Sequence, residues 1–170
     1  MKNNILPERK HARPVTYNGM PHAQIDVVPL PEIQAELFRL CFSLPNVTNR
    51  PTVISIPGAR ALWLDDDIPL AHPEYIARGR EFAHIHPDGS LHASLNPERA
   101  REAIGSGWAE PHPIAQHTGW EGMVMLYTPL DMDELAVIFE LVVDSYNFIT
   151  GRNLLIEDVL PSAYQEEKHE

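Results

Sequence analysis

The turn Pro87-Asp88-Gly89 and its flanking residues constrain the fold of this chain more than any other segment. Pro-Asp-Gly is typical of a three-residue hairpin loop, in which a type I turn is followed by a left-handed glycine. The loop predicts two antiparallel strands, over residues 81–86 and 90–95. It also predicts their register, with the pairs His86 and Ser90, Ile85 and Leu91, and His84 and His92. A two-residue loop would shift this register by one residue.

One face of the predicted hairpin carries a group of histidines. Side chains alternate between the two faces of a strand, and directly paired residues share a face. The polar face is therefore formed by His84, His86, Ser90 and His92. The opposite face is formed by Ala83, Ile85, Leu91 and Ala93. We interpret the apolar face as core and the histidine face as the candidate site.

Three neighbouring imidazoles are compatible with two kinds of chemistry. Neutral histidine is a ligand for zinc, iron or copper, so the group fits a three-nitrogen metal site. Alternatively, crowding makes double protonation costly, which lowers at least one pKa and leaves a general base near neutral pH. A third interpretation is a solvent-facing sheet surface that merely tolerates histidine. The pattern alone leaves all three open.

Apolar periodicity predicts further elements around the hairpin. Apolar residues at helical spacing predict a first helix over residues 31–44. Short apolar runs predict strands over residues 52–56, 59–64 and 122–128. The first two of these strands are separated by the turn signal Pro57-Gly58.

Capping signals predict two more helices. Asn96 followed by Pro97 predicts the start of the second helix. Asp131 and Glu134 form a capping box at the start of the third helix. The resulting order of helices and strands predicts an α+β fold, a single domain with a mostly antiparallel sheet flanked by about three helices.

Length and composition limit the organisation, the partners and the location. The 170 residues suit one domain over 31–160, with an extended N-terminal arm over 1–30 and a charged C-terminal tail over 161–170. The net charge of −11 disfavours nucleic acid and anionic membrane surfaces as partners. No apolar run approaches the ~20 residues of a membrane-spanning helix, and the first residues lack a secretory apolar stretch. We therefore expect a cytoplasmic protein without a membrane partner, and its oligomeric state stays open.

Aromatic residues after the second helix add to the candidate site. Trp108, Trp120 and Tyr127 suit a pocket for a flat, hydroxylated ligand. Alternatively, the tryptophans seal the second helix against the sheet. His112 stands between two prolines on a stiff loop, which suits either a positioned polar group or an exposed turn residue.

These motifs occur in an order that resembles a known family. The series consists of the block over 81–86, then Ser90-Leu91-His92, Gly107-Trp108, His112-Pro113-Ile114 and Leu126-Tyr127. It resembles the luciferase domain of bioluminescent fungi over about residues 51–150, and uncharacterised bacterial proteins carry the same domain. The resemblance implies an oxygen-using enzyme, because the fungal enzyme adds dioxygen to a hydroxylated styryl-pyrone and the product decays with light emission.

The resemblance also implies roles for individual residues. His84, His86, His92 and His112 become the candidates for deprotonating an enol or phenol, and Trp108, Trp120 and Tyr127 for holding the ring system. No flavin, haem or metal is implied, so the expectation is a cofactor-independent oxygenase that uses molecular oxygen and a hydroxylated aromatic or enolic small molecule. Two alternatives stay open: a non-catalytic module that binds a small molecule or partner, and a metal-dependent enzyme with a three-histidine site.

Overall fold

An antiparallel sheet of six strands lies at the centre of the computed structural model, which describes residues 4–160. Two short strands precede the sheet, β1 (Thr16–Tyr17) and β2 (Ala23–Gln24). The sheet itself contains β3 (Val47–Pro51), β4 (Arg60–Leu64), β5 (Glu81–Ile85), β6 (Leu91–Ser94), β7 (Ala109–Pro111) and β8 (Met123–Leu126), in the spatial order β3-β4-β5-β6-β8-β7.

Four α-helices accompany the strands in residues 4–160. They are α1 (Pro31–Cys41), α2 (Pro97–Gly105), α3 (Met132–Thr150) and the single turn α4 (Ile156–Val159). Among the described residues, no helix combines the length and apolar character needed to cross a membrane. The predicted class, a single α+β domain with a mostly antiparallel sheet flanked by about three helices, is confirmed.

The hairpin has the predicted loop and register. His84 pairs with His92, and Ile85 pairs with Leu91. The amide of His86 donates to the carbonyl of Ser90 at 2.8 Å, which closes the ladder at the turn. Gly89 has a φ of 89°, a left-handed conformation that glycine adopts without steric cost.

The predicted helix starts are confirmed by their caps. The Asn96 side chain accepts a hydrogen bond from the amide of Glu98 at 3.0 Å. The Asp131 side chain likewise accepts from the amide of Glu134 at 2.8 Å. The first helix ends at Cys41 instead of residue 44, although Leu44 is still buried.

The prediction of a strand over residues 52–56 is wrong. The strand that pairs with β4 is β3, which ends at Pro51. Beyond it, side chains replace the strand ladder: the amide of Val53 donates to Glu81, and the amides of Ile54 and Ser55 donate to the hydroxyl of Thr52. The bonds to Thr52 are local and compete with strand pairing, and the bond to Glu81 occupies the Val53 amide, so this apolar run forms a loop.

The core lies on the apolar face of the hairpin, as predicted. Ala83, Ile85, Leu91 and Ala93 belong to the main buried cluster, together with α3 residues such as Leu135, Phe139 and Val142. Helix α3 contacts β5 and β6, and α1 contacts α3. The rest of the fold therefore supports the hairpin from one side and leaves the histidine face for a different partner.

That partner is the N-terminal segment, residues 4–30. It is held by polar contacts along its length, among them the Arg9 ion pair with Glu134 and the hydrogen bonds of Gln24 with Thr128. At its far end it brings His22 to the histidine face, 3.0 Å from His92. The predicted charged tail over residues 161–170 lies outside the described residues.

Candidate functional site

Five histidines meet on the polar face of the sheet and form what we call the histidine cluster. His84 and His92 come from β5 and β6, His86 follows β5, His112 precedes a short 3-10 turn, and His22 comes from the N-terminal segment. The rings in contact have centroids 4.5–5.3 Å apart. His92 is central, since its ring contacts the other four.

Three of these rings form a continuous line between two carboxylates. His84 Nδ1 lies 3.1 Å from Glu81 Oε1, and His84 Nε2 lies 3.0 Å from His92 Nδ1. His92 Nε2 then lies 3.0 Å from His22 Nδ1, and His22 Nε2 lies 2.9 Å from Glu110 Oε2. Both nitrogens of each ring therefore have a partner, and the line begins and ends at an acid.

Glu81 is held as a carboxylate although it is buried. Burial alone would raise its pKa. The contact with His84, the amide of Val53 at 2.8 Å and the hydroxyl of Thr52 at 2.7 Å together outweigh burial and lower the pKa of Glu81. An ionised Glu81 favours the proton on Nδ1 of His84, because a carboxylate without a proton can only accept.

The remaining two histidines have opposite tautomers. The Ser90 hydroxyl donates to Asp88 at 2.7 Å, so it accepts from Nδ1–H of His86 at 2.9 Å, and His86 Nε2 is left with a lone pair. His112 Nδ1 instead accepts from the amide of Ile114 at 3.0 Å. A neutral His112 thus carries its proton on Nε2.

Burial and crowding keep rings of the cluster neutral. Burial, with smaller contributions from the neighbouring histidines, lowers the pKa of His86 to about 4 and the pKa of His112 to about 4. The same causes lower the pKa of His92 far below its ordinary value. Neutral imidazole is the form that binds metal ions or accepts protons.

A cavity of about 370 Å³ opens over the cluster. Its polar wall is formed by His22, His84, His92 and His112. The apolar wall includes Met20, Ile54, Ile56, Ile114, Trp120 and Met123. A few polar groups that converge in an otherwise apolar cavity of this size are typical of a small-molecule site.

The structure separates the seven predicted site residues into three groups. His84, His92, His112 and Trp120 line the cavity, and His86 belongs to the cluster but not to the cavity wall. Trp108 and Tyr127 are buried elsewhere. The Trp108 indole donates to the carbonyl of Pro7 at 2.7 Å, and the Tyr127 hydroxyl donates to Glu110 at 3.1 Å. The roles assigned to all seven stay predictions.

Sequence reasoning missed His22, Glu81 and Glu110. His22 lies in a segment without periodicity, and its contact with His92 spans 70 residues, so no local signal marks it. Glu81 reaches the histidine face through a bulge: Leu62 pairs with Ala83 while Trp63 pairs with Glu81, which leaves one extra residue in β5. Strict two-residue alternation would place Glu81 on the other face from His84.

Comparisons with known proteins show a similarity to one protein family. Residues 79–145 match the family model described as the Luciferase domain. The chain is 26% identical to a protein named luciferase from Armillaria gallica over 168 residues, which cover 86% of this chain and 62% of that relative. A luciferase from Neonothopanus nambi is 30% identical over 108 residues, covering 55% of this chain and 39% of the relative. No solved structure matches the chain.

The matched residues coincide with the centre of the site. The range 79–145 contains the hairpin, His112 and Trp120, whereas His22 lies outside it. The chain spans less than two thirds of the length of these fungal relatives. The resemblance predicted from the sequence motifs is confirmed: residues 79–145 match the luciferase domain model, and the chain is similar to fungal luciferases over most of its length.

Proposed function

We propose that this protein is a luciferase-type enzyme that oxidises a flat, hydroxylated aromatic or enolic small molecule with molecular oxygen. The observation that carries this proposal is the cavity of about 370 Å³, in which histidines form one wall and apolar side chains form the other. The similarity to fungal luciferases supports the same reading.

The cavity offers complementary surfaces to such a molecule. Ile54, Ile56 and Trp120 present apolar area to a planar ring. The Trp120 ring contacts Tyr75 edge-on, at a centroid distance of 6.4 Å, which holds its orientation. On the polar side, Nε2–H of His112 is a donor for a hydroxyl or carbonyl oxygen of the substrate, because its Nδ1 is already an acceptor for Ile114.

The histidine cluster assists ionisation of the substrate in this proposal. Transfer of the substrate's hydroxyl proton to a histidine nitrogen of the cluster gives an enolate or phenolate, and Nε2–H of His112 stabilises the negative oxygen. The ring carbon then forms a C–O bond with dioxygen. Both electrons of that bond come from the substrate, and return of a proton gives a hydroperoxide. The apolar walls exclude water from the reactive anion.

Oxygen uptake tests this proposal. Purified protein is mixed with a panel of hydroxylated pyrones and catechols while dissolved oxygen and light output are recorded. We expect one compound to be consumed together with oxygen. Trp120→Ala should raise KM by removing ring contact, while the exposed-histidine control His117→Gln should leave the kinetics unchanged.

A compound that binds tightly but is never consumed would contradict the enzyme and favour a binding module. Equal KM values for Trp120→Ala and the unmodified protein would contradict the assigned cavity. The expectation from the sequence that the reaction needs no cofactor is tested by the same oxygen measurement with and without a chelator.

A further inference from the structure

We propose that His84, His86 and His92 form a binding site for one divalent first-row transition-metal ion. One ring nitrogen of each histidine lies within 4.8 Å of the others. The ligand atoms would be Nε2 of His84, Nε2 of His86 and Nδ1 of His92. This inference goes beyond the proposed reaction and does not depend on it.

The positions of the ring protons carry the argument, starting from the Glu81 end. Nδ1–H of His84 faces the Glu81 carboxylate at 3.1 Å. In a neutral ring, Nε2 of His84 then has a lone pair, and this lone pair points at His92 Nδ1, 3.0 Å away.

The ring protons at the Glu110 end of the line determine the other side of this contact. Nε2–H of His22 donates to the Glu110 carboxylate at 2.9 Å, so His22 Nδ1 has the lone pair. That lone pair accepts from Nε2–H of His92 at 3.0 Å. A neutral His92 is then left with a lone pair on Nδ1, which faces the lone pair of His84.

Two lone pairs at 3.0 Å repel unless a cation lies between them. The third histidine points to the kind of cation. His86 has its proton on Nδ1, where it donates to Ser90, and its Nε2 lone pair is the one ring nitrogen of this trio without a hydrogen-bond partner in the described structure. One proton joins two nitrogens, whereas a metal ion joins all three, and imidazole is a preferred ligand of zinc, copper, iron and nickel.

Each ligand also has the outer partner that metal-bound histidines typically have. The non-ligating nitrogen of His84 faces Glu81, and that of His86 reaches Asp88 through the Ser90 hydroxyl. The non-ligating nitrogen of His92 reaches Glu110 through His22. Such carboxylate partners fix the tautomer and increase the basicity of the ligand. Three carboxylates also offset the charge of a divalent ion.

A competing trio, His22, His92 and His112, also has nitrogens within 4.8 Å of one another. The positions of its ring protons prevent this trio from binding a metal ion. His112 needs its lone pair on Nδ1 to accept from the amide of Ile114, so its Nε2 carries a proton and cannot bind a cation. Both nitrogens of His22 are engaged by His92 and Glu110. This trio therefore does not supply three lone pairs.

The proposed ion would be accessible from the cavity. His84 and His92 line the cavity wall, so a fourth position faces the space where a small molecule binds. Three protein ligands and one open position are the arrangement of catalytic sites. A hydroxyl group bound at that position ionises more readily, which is the step that the proposed reaction needs.

Cobalt binding tests the site without any substrate. The full chain is treated with a chelator, dialysed and titrated with Co²⁺ while its visible spectrum is recorded. We expect one equivalent to bind and to give the intense ligand-field bands of a low-symmetry nitrogen site, with Zn²⁺ displacing it. Saturation by less than a tenth of an equivalent, or the weak bands of hexaaqua cobalt only, would overturn the proposal.

Variants locate the site. His86→Gln and His92→Gln should abolish the cobalt bands, and Glu81→Gln, which changes an outer partner, should weaken Co²⁺ affinity by about 10- to 100-fold. His112 lines the same cavity but is not one of the three proposed ligands, so His112→Gln should keep the bands. Retention of full binding by His86→Gln, or its loss in His112→Gln alone, would place the ion elsewhere. Circular dichroism checks that each variant is folded. If a variant is unfolded, the Co²⁺ titration of the unmodified chain still tests the proposal.

Discussion

The two faces of the hairpin are buried to the same extent but are organised by different forces. The four residues of the apolar face and the four of the histidine face are all between 0% and 5% exposed. The apolar face packs under α3, where contact is non-directional and a loss of volume is the main cost. The histidine face lies under the N-terminal segment, where all but one of the ring nitrogens of His84, His86 and His92 have a hydrogen-bond partner. Burial alone therefore does not distinguish the core from the site. The polar atoms and their hydrogen-bond partners do.

The largest expected effect is on the apolar side. Phe139→Ala removes a fully buried ring from α3 and should lower the free energy of unfolding by about 3–5 kcal/mol. Denaturant unfolding measures this change. Because the residue lies on the opposite side of the sheet, the folded fraction should keep its cobalt binding. Loss of cobalt binding in a folded variant would contradict the expectation that the two faces act independently.

Metal removal should be the next largest effect, and it acts on the histidine side alone. An ion that binds only the folded protein stabilises it by about 2.7 kcal/mol when its concentration is 100 times Kd. Chelation should therefore lower Tm, and added Zn²⁺ should restore it. The same treatment of His92→Gln should change nothing. An identical Tm with and without Zn²⁺ in the unmodified protein would contradict the role given to the cluster.

A smaller effect is expected from one outer partner. Ser90→Ala removes the hydroxyl between His86 and Asp88, and should cost about 0.5–1.5 kcal/mol of stability. His86 Nδ1 would then lose its acceptor, so we also expect weaker Co²⁺ affinity. Ala93→Ser on the apolar face is the matched comparison, since it adds a buried hydroxyl without touching the cluster. Equal Co²⁺ affinity in Ser90→Ala and the unmodified chain would contradict the role of Ser90 as an outer partner of His86.

Local chemistry made much of the fold predictable. The sequence Pro-Asp-Gly determines the loop length, so the pairing of His84 with His92 follows from the turn alone. The starts of α2 and α3 were equally predictable, because Asn96 and Asp131 accept amide hydrogen bonds within the next three residues. These features depend on neighbours in the chain.

Features that depend on distant residues could not be predicted in the same way. The prediction of a strand over 52–56 is wrong because the Thr52 hydroxyl and the Val53 amide donate to Glu81, about 28 residues away. The apolar side chains of Ile54 and Ile56, which suggested a strand, face the cavity instead. His22 completes the cluster through a contact that no period or turn announces. The sequence therefore predicts the hairpin histidines at the centre of the candidate site, but it does not predict His22, Glu81 and Glu110 around them.

Metal content of the protein as isolated is the most direct test that the histidine face is a built site. The untagged chain is purified without chelators or metal-affinity resin, and elemental mass spectrometry measures transition metals per chain. We predict close to one equivalent in the unmodified protein and a loss of that metal in the His86→Gln, His92→Gln double variant. No stoichiometric metal in the unmodified protein, or equal metal in both proteins, would contradict a metal site on the histidine face.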